Sequence, residues 1–510
     1  MPQHRVVIIG AGVAGLASSL ALAAAGIEVT VLERRQVPGG KIRQLGVGGV
    51  AIDSGPTVFT MRWVFDELFA QAGLNFVDHA TLQPLSVLAR HAWDARSQLD
   101  LFADEERSVA AIGDFAGAAE AARYRTFCRD TKRIYDILEK PFLRAERPSM
   151  AALLGSNGFR GLFELTEIKP FSSMASALGQ YFHDPRLRQL FGRYATYCGS
   201  SPYLAPATLM LVAHVERNGV WSIQGGMHAL AQTLADAATS LGAKIRYDSE
   251  VREVVTASGR AAGVMLSTGE RIDADAIIVN ADVSAVAGGL LGGSASRAAP
   301  AIPPRARSLS AITWSMVART SGFPLSRHNV FFSRDYPAEF DAIFKRDALP
   351  DQPTVYVCAQ DRADDANAIE GEERLLVLVN APANGDRHSY TTTEVERCAQ
   401  TTFGVLERCG LTVHPHQMQV TTPTDFNALF PATGGALYGR SSHGWTASFQ
   451  RPGVRTKIPG LYLAGGSAHP GPGVPMAALS GRAAAACLLA DLTSLAPSRT
   501  MAMRGGMSTR

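Results

Sequence analysis

The sequence predicts an α/β chain: a parallel sheet wrapped by helices, interrupted by an inserted domain of helices and antiparallel sheet. Three observations carry this. The chain opens on the apolar run Arg5 to Ile9, then Gly10-Ala11-Gly12-Val13-Ala14-Gly15, a helical stretch over about Leu16 to Ala25 that Gly26 stops, and a second apolar strand ending in Glu33 and Arg34. A long middle portion lacks this alternation of strand and helix. Near its end the chain returns to a strand, Leu461-Tyr462-Leu463, a Gly/Pro-rich loop and an Ala-rich helix to about Leu492.

The opening reads as a Rossmann-like dinucleotide-binding βαβ unit, because each part has a physical job there. Gly10 permits the tight turn, Gly12 lets a pyrophosphate approach the backbone, and Gly15 lets helix and strand pack closely. Ala11 and Ala14 belong to the same turn, and the helix N-terminus supplies positive potential. Glu33 offers a carboxylate to ribose hydroxyls, with Arg34 beside it. The uncharged run from Arg5 to Ile27, with Ala23-Ala24-Ala25, also looks like a signal peptide. Three glycines at fingerprint spacing and the strand that follows argue instead for an uncleaved, cytoplasmic chain.

Composition narrows the function classes. At 510 residues, 46% hydrophobic and 19% charged, the chain buries a large core and divides into two domains. Its net charge of +3 comes from mixed signs without a polybasic run, which excludes nucleic acid as a partner. The six cysteines lie far apart, with no Cys-x-x-Cys and no His pair at ligand spacing, so they read as reduced thiols and no metal site is expected. Beyond the opening unit no stretch of about 20 apolar residues stands out, so no membrane span is expected.

Two Gly-rich loops follow Arg34, Pro38-Gly39-Gly40-Lys41 and Asp53-Ser54-Gly55-Pro56-Thr57, close enough to the first motif to hug a long cofactor, with Lys41 near phosphate. From about Trp63 to Glu216 the pattern is largely helical, with segments at Ala116 to Leu138, Pro185 to Tyr197 and Ala207 to Glu216. The pieces Met150 to Leu165 and Phe171 to Phe182 mix Leu, Phe and Met with few charges, as the wall of a lipid-like pocket or a membrane-facing surface would. Gln224-Gly225-Gly226-Met227 opens another helix, ended by Gly242. A strand at Lys244 to Asp248 and a β-meander through Val251 to Ala281 return the chain to its first sheet. Strands at Ile312 to Arg319, Asn329 to Ser333, Thr354 to Gln360 and Leu375 to Asn380, without helices between them, suggest an antiparallel sheet, and Thr392 to Arg408 reads as a helix. The resulting division is 1–75, 222–300 and 445–495 for the nucleotide domain, 76–221 and 301–444 for the inserted substrate domain, and 496–510 as a loose tail.

These marks together resemble the FAD-dependent amine-oxidase superfamily, whose fold is shared with the GDP-dissociation inhibitors, and within it the carotenoid desaturases. The motifs are the three glycines with Glu33, Gly39-Gly40-Lys41, Asp53 to Thr57, Gln224 to Met227, and the tail Leu461 to Pro475 with its His469-Pro470-Gly471-Pro472-Gly473-Val474-Pro475. Pro353 to Arg362 and Gly434 to Arg440 look like the branch acting on hydroxylated acyclic carotenoids. The resemblance implies bound FAD, its pyrophosphate over Gly10, Gly12 and Gly15 and its adenosine ribose on Glu33. It also implies a backbone contact at Val251, phosphates bordered by Gly465 and Gly466, and the helix at Pro475-Met476 pointing at the flavin pyrimidine. Many flavin enzymes carry Gly-Asp where this chain has Gly466-Ser467.

The implied activity is desaturation of a substrate such as 1-hydroxyneurosporene, adding one C=C to extend the polyene in carotenoid biosynthesis. Phytoene desaturase or carotene isomerase are sibling readings, and a non-catalytic prenyl-lipid carrier is a reading of another class. A soluble amine oxidase is a further one, whose aromatic pair only Trp445 and Phe449 offer. His469 is either a base or a loop support, and the catalytic base is left unassigned. The run Asp361, Arg362, Asp364 and Asp365 is either a solvated turn or a hydroxyl-recognising cluster. No second Gly-x-Gly-x-x-Gly opens a helix, so oxygen or a quinone is the expected electron acceptor. A lipid-soluble substrate implies peripheral association with the inner or photosynthetic membrane.

Overall fold

The computed structural model describes residues 4–147, 149, 169, 171–362 and 369–495. Its organising sheet has five parallel strands in the order Leu461–Leu463, Ala276–Val279, Arg5–Ile9, Glu28–Leu32, Lys244–Arg246. The first strand lies at the centre, so it must be apolar on both faces. Val6 and Ile8 pack into the helical layer, while Val7 and Ile9 pack under the meander. The run that looks like a signal peptide is in the structure this central strand and the helix Val13–Ala24 that packs on it.

Helices Val13–Ala24, Met227–Ser240 and Val474–Leu495 cover one face of this sheet. The antiparallel meander Val251–Ala257, Arg260–Leu266 and Arg271–Asp273 covers the other. The first helix starts at Val13, immediately after Gly12, earlier than the Leu16 expected from its apolar pattern. The expectation that no further stretch is long and apolar enough to cross a membrane is corrected by Val474–Ser494, which is so by length and composition. In the structure its Ala478, Leu479, Ala484, Ala485 and Leu488 are core residues against the first helix. Ser18 Oγ reaches across to the Gly481 carbonyl at 3.0 Å, a crossing that small residues permit.

The second sheet has seven strands in the order Leu411–Thr421, Ser310–Gly322, Glu373–Ala381, Val355–Ala359, His328–Phe331, Val87–Ala92, Gln98–Phe102. All pairs are antiparallel except His328–Phe331 with Val87–Ala92. Helix Thr392–Arg408, entered through a Thr391/Glu394 capping box, packs on this sheet through Cys398, Val405 and Leu406. A helical layer of Glu105–Ala116, Ala118–Leu138, Met174–Tyr181, Pro185–Gly192 and Leu211–Arg217 shares a core with sheet residues Leu99, Leu101 and Val330 and with Phe332 just past its strand.

Several expectations need correcting here. The stretch from Trp63 to Glu216 is not helical throughout: Val87–Ala92 and Gln98–Phe102 form a hairpin, and Leu99 and Leu101 alternate inward as a half-buried strand requires. The segments at Pro185 and Ala207 are each a helix joined to a 3-10 turn, Arg193–Cys198 and Ala207–Met210. Helices Tyr336–Lys345 and Pro423–Leu429 and the strand Leu411–Thr421 were not expected. The Met150 to Leu165 piece, Asp364, Asp365 and the tail 496–510 lie outside the described residues.

Candidate functional site

The turn after the first strand is built for close backbone approach. Gly10 N–H donates to Leu32 O at 2.8 Å, tying it to the second strand, and Asn280 Nδ2 donates to Gly10 O at 3.2 Å. A Cβ on Gly15 would stand 2.1 Å from Gly10 O, so no other residue fits there without moving the turn. The first helix begins on Gly12 with no side-chain cap, leaving its N-terminal N–H groups facing the cavity. Glu33 is buried; its Oε2 accepts from Ala11 N at 2.7 Å and its Oε1 from Arg35 N at 3.0 Å. Each oxygen keeps a lone pair for a further donor.

One cavity of about 1080 Å³ runs from this turn through the molecule. Gly10, Gly12, Ala14, Glu33, Arg34, Gly40, Lys41, Gly55, Pro56, Thr57, Val251, Gly465, Gly466, Pro475 and Met476 all line it. Ala11 and Gly15 do not: Ala11 is fully buried behind Glu33, and Gly15 serves the strand-to-helix contact. The N-terminus of the last helix, Gly473 to Ala477, forms another part of the wall, aiming a second positive helix end inward.

The loops have roles that composition alone did not reveal. Lys41 Nζ donates to Leu437 O at 2.7 Å and stands 3.8 Å from Asp282, so its ammonium is engaged on the tail side of the cavity. Burial lowers its pKa, with Asp282 opposing. Arg34 Nη2 donates to the Leu429 carbonyl. Asp53 does not touch the cavity; its carboxylate accepts from Met227 N at 2.5 Å and His228 N at 3.3 Å, holding the start of the Met227–Ser240 helix. A Cβ on Gly226, at φ +86°, would stand 2.1 Å from that carboxylate. Ser467, standing where an acid is common, accepts from Val283 N at 3.0 Å.

Residues that the sequence reading missed complete the wall. Arg451, 4% exposed, donates to Tyr438 O, Gly466 O and Arg440 O, and burial lowers its pKa to about 10. Arg43 is similarly buried, lies over the Phe426 ring and is lowered to about 10 by burial and by Arg35. Among the lining groups, Arg193 and Glu216 are buried charges in a reach otherwise lined by uncharged side chains. Their only sequence signal is a charge inside a hydrophobic helical stretch.

Away from the Gly-rich turns the walls become apolar. Leu143, Leu209 and Val212 come from the helical layer, and Val330, Leu376 and Leu378 from the seven-stranded sheet. At the rim, Phe171 is 79% exposed and meets the exposed Trp445 edge-on at 5.4 Å. Phe449 pairs with Phe142 at 5.8 Å, so Trp445 and Phe449 each have another aromatic partner. His469 is absent from the cavity wall: its Nε2 hydrogen-bonds Phe142 O at 2.8 Å and burial lowers its pKa to about 4. This neutral imidazole holds the loop. Asp361 pairs with Arg374 and Arg362 with Glu373, also away from the cavity.

A family model described as flavin containing amine oxidoreductase matches residues 13–489. A hydroxyneurosporene desaturase of Rubrivivax gelatinosus is 54% identical over 510 residues, covering 99% of this chain and 97% of the relative. The chain belongs to the carotenoid desaturases of the flavin-containing amine oxidoreductase family. This desaturase-family chain is also 29% identical to a 1-hydroxycarotenoid 3,4-desaturase of a Flavobacterium, over 94% of this chain and 98% of the relative. A solved oxidoreductase from Methanosarcina mazei superposes with a TM-score of 0.61 at 18% identity, covering 94% of this chain and 99% of that one, which shows the shared fold.

The cofactor is FAD, and the residues present fit it. An uncapped helix start beside a glycine turn suits a pyrophosphate, and the buried Glu33 carboxylate retains acceptor capacity for ribose hydroxyls. The buried Arg43 and Arg451 guanidiniums supply positive charge along the same wall.

Proposed function

We propose that the chain is an FAD-dependent desaturase of a hydroxylated acyclic carotenoid such as 1-hydroxyneurosporene, adding one C=C that extends the polyene. The observation that carries this is the continuity of the cavity. One space of about 1080 Å³, at the top of the roughly 300–1,000 Å³ range of small-molecule sites, joins a nucleotide cradle to a long apolar reach. In this reading the pyrophosphate lies along Gly10, Gly12 and Ala14, with Ala11 and Gly15 shaping the turn from behind, the ribose meets Glu33, and Val251 borders the adenine end. Arg34, Gly40, Lys41, Gly55, Pro56 and Thr57 flank the cofactor, and Gly465, Gly466, Pro475 and Met476 close over its ring end.

FAD, when bound, supplies the two-electron acceptor for a hydride. The chain's own part is to hold the substrate, orient one C–C bond and exclude water. Val330, Leu376 and Leu378 give the polyene a dry, apolar face, and fixed orientation removes much of the entropic barrier. The hydrogen lost as a hydride leaves an allylic cation delocalised along the polyene, so the second hydrogen departs as a proton to a weak acceptor. No strong base is required, in keeping with the neutral, inward-turned His469. Oxygen or a quinone takes the electrons afterwards. The test is steady-state conversion: reconstituted protein with FAD and a 1-hydroxylated acyclic carotenoid should form a product two hydrogens lighter, and a product of unchanged mass would refute the assignment.

A lipid-soluble substrate favours a reaction at a membrane surface, and the exposed aromatic rim supports peripheral docking at the inner or photosynthetic membrane. Phe171 and Trp445 both line the cavity and face outward, with Leu204 46% exposed nearby in the fold, since Gly444 N donates to Leu204 O. Burying one such side chain contributes roughly 1.5–3 kcal/mol. Phe171→Asp with Trp445→Asp should therefore cut recovery in liposome flotation by more than about 10-fold, while carbonate releases the parent protein. Equal flotation of parent and variant would contradict the docking surface.

A further inference from the structure

The apolar reach of the cavity contains a charged pair that the reaction as described does not use. Arg193 sits on the 3-10 turn Arg193–Cys198 and Glu216 on the helix Leu211–Arg217; they are 5% and 2% exposed, and both line the cavity. Arg193 Nη1 donates to Tyr197 OH at 2.8 Å, and its guanidinium lies 5.2 and 5.0 Å from the Tyr194 and Tyr197 rings. Arg193 Nε and Nη2 have no hydrogen-bond partner, and neither has Glu216 Oε2. Nη2 and Oε2 stand 3.7 Å apart, an ion pair too long for a hydrogen bond. Burial pushes the Glu216 carboxyl above its ordinary range, with Arg193 and Tyr194 opposing.

A buried pair with open donors on one side and an open acceptor on the other is costly unless something completes it. The completing group must accept from a guanidinium and donate to a carboxylate at once. A carboxylate ligand is repelled by Glu216 and an amine by Arg193, while a ketone leaves Glu216 unpaired. A neutral hydroxyl does both: an oxygen about 2.8 Å from each atom fits across a 3.7 Å gap.

A second polar chain lines the same cavity as this pair. Tyr356 OH lies 2.6 Å from Thr57 Oγ1 and 2.7 Å from His328 Nδ1. Thr57 and Tyr356 line the cavity with Arg193. Burial lowers the His328 pKa to about 3, with Arg327 and Arg193 adding to it. Thr57 belongs to the loop that the proposed reading sets beside the cofactor, and Arg193 is close enough to this chain for its charge to act on His328, which sets the pair toward the cofactor end of the substrate reach in that reading. On a 1-hydroxylated chain desaturated at C3–C4, the hydroxyl oxygen is three bonds from C3, within about 5 Å at ~1.5 Å per bond.

We propose that Arg193 and Glu216 bind the substrate's terminal hydroxyl, Glu216 Oε2 accepting from it and an open Arg193 N–H donating to it, and thereby position the neighbouring C–C bond. This rests on the desaturase reading above. The test compares kcat/KM for a 1-hydroxylated acyclic carotenoid with that for the same hydrocarbon lacking the hydroxyl. The parent protein should strongly favour the hydroxylated substrate, because the hydrocarbon leaves Glu216 Oε2 and an Arg193 N–H buried without hydrogen-bond partners. The double variant Arg193→Met, Glu216→Leu replaces the pair by apolar groups, a change that buried ion pairs tolerate. It should lower that preference by about 10- to 100-fold while FAD content stays at one per chain. Glu216→Gln, which keeps the shape, should lower it by about 10-fold and serves if the double variant does not fold.

Equal losses on both substrates in either variant would mark a merely structural pair and overturn the proposal. A parent protein that converts both substrates equally would overturn it while leaving desaturation standing. A parent protein that binds and converts neither would remove the desaturase reading and the hydroxyl site with it.

Discussion

Gly15→Ala leaves a chain with little or no bound FAD. The added Cβ would lie 2.1 Å from Gly10 O, where carbon and oxygen normally meet at about 3.5 Å. The obstacle is backbone in a turn fixed on both sides, by Gly10 N to Leu32 O and Asn280 to Gly10 O, so no flexible side chain can yield. The first helix must lift from the central strand, at or beyond the ~3 kcal/mol upper end of ordinary overpacking. Gly46→Ala, where nothing lies within 4 Å of the new Cβ, is the matched control and should keep full flavin content. Flavin absorbance per chain, read beside far-UV circular dichroism, makes the comparison. Full flavin loading in Gly15→Ala would show that the turn is not needed in this conformation.

Glu33→Ala is the second large effect. The carboxylate accepts from Ala11 N and Arg35 N, and in the proposed reading from a ribose hydroxyl as well, so its removal would strip three donors of one acceptor group. The ribose bond alone, made to a charged group, is worth roughly 1.5–3 kcal/mol, or about 10- to 150-fold in affinity. Loosening the turn that Ala11 anchors adds to that. Glu33→Gln keeps the shape and one carbonyl acceptor and should fall between parent and Ala variant. Titrating the apoprotein into FAD and following flavin fluorescence gives the three dissociation constants. Values within two-fold of the parent for both variants would remove Glu33 from the site.

Legibility in the sequence followed burial and periodicity. The central strand and its glycine turn were readable because one short run carries strand, turn, helix and acid together, each with its own signature. Leu411–Thr421 was not, because His414 to Gln419 are exposed on an edge strand and show no alternation of apolar and polar residues. Its Pro415 is accommodated at the register shift between Val317 and Ala318, where a proline costs least. The Val87–Phe102 hairpin was hidden by the helices that follow, although Gln98 to Phe102 does alternate.

The site divided in the same way. Backbone-hugging glycines announce themselves by spacing, whereas Asn280 and Arg451 reach the cavity from distant parts of the chain and Arg43, beside the Gly39-Gly40-Lys41 loop, carries no motif of its own. His469 stood out by chemistry yet turns toward Phe142. Arg193 and Glu216, separated by 23 positions in helical stretches, become a pair only when the 3-10 turn and the following helix fold against each other.

The central claim, a cofactor cradle continuous with a carotenoid channel in which two hydrogens leave the substrate, is tested most directly by an anaerobic single turnover. Enzyme loaded with FAD is mixed with one equivalent of 1-hydroxylated acyclic carotenoid, flavin absorbance is followed, and the product is separated and weighed. One flavin should bleach for each molecule of product two hydrogens lighter. Product of unchanged mass without net bleaching would make the chain an isomerase, and tight binding with neither product nor bleaching would make it a lipid carrier; either result contradicts the account.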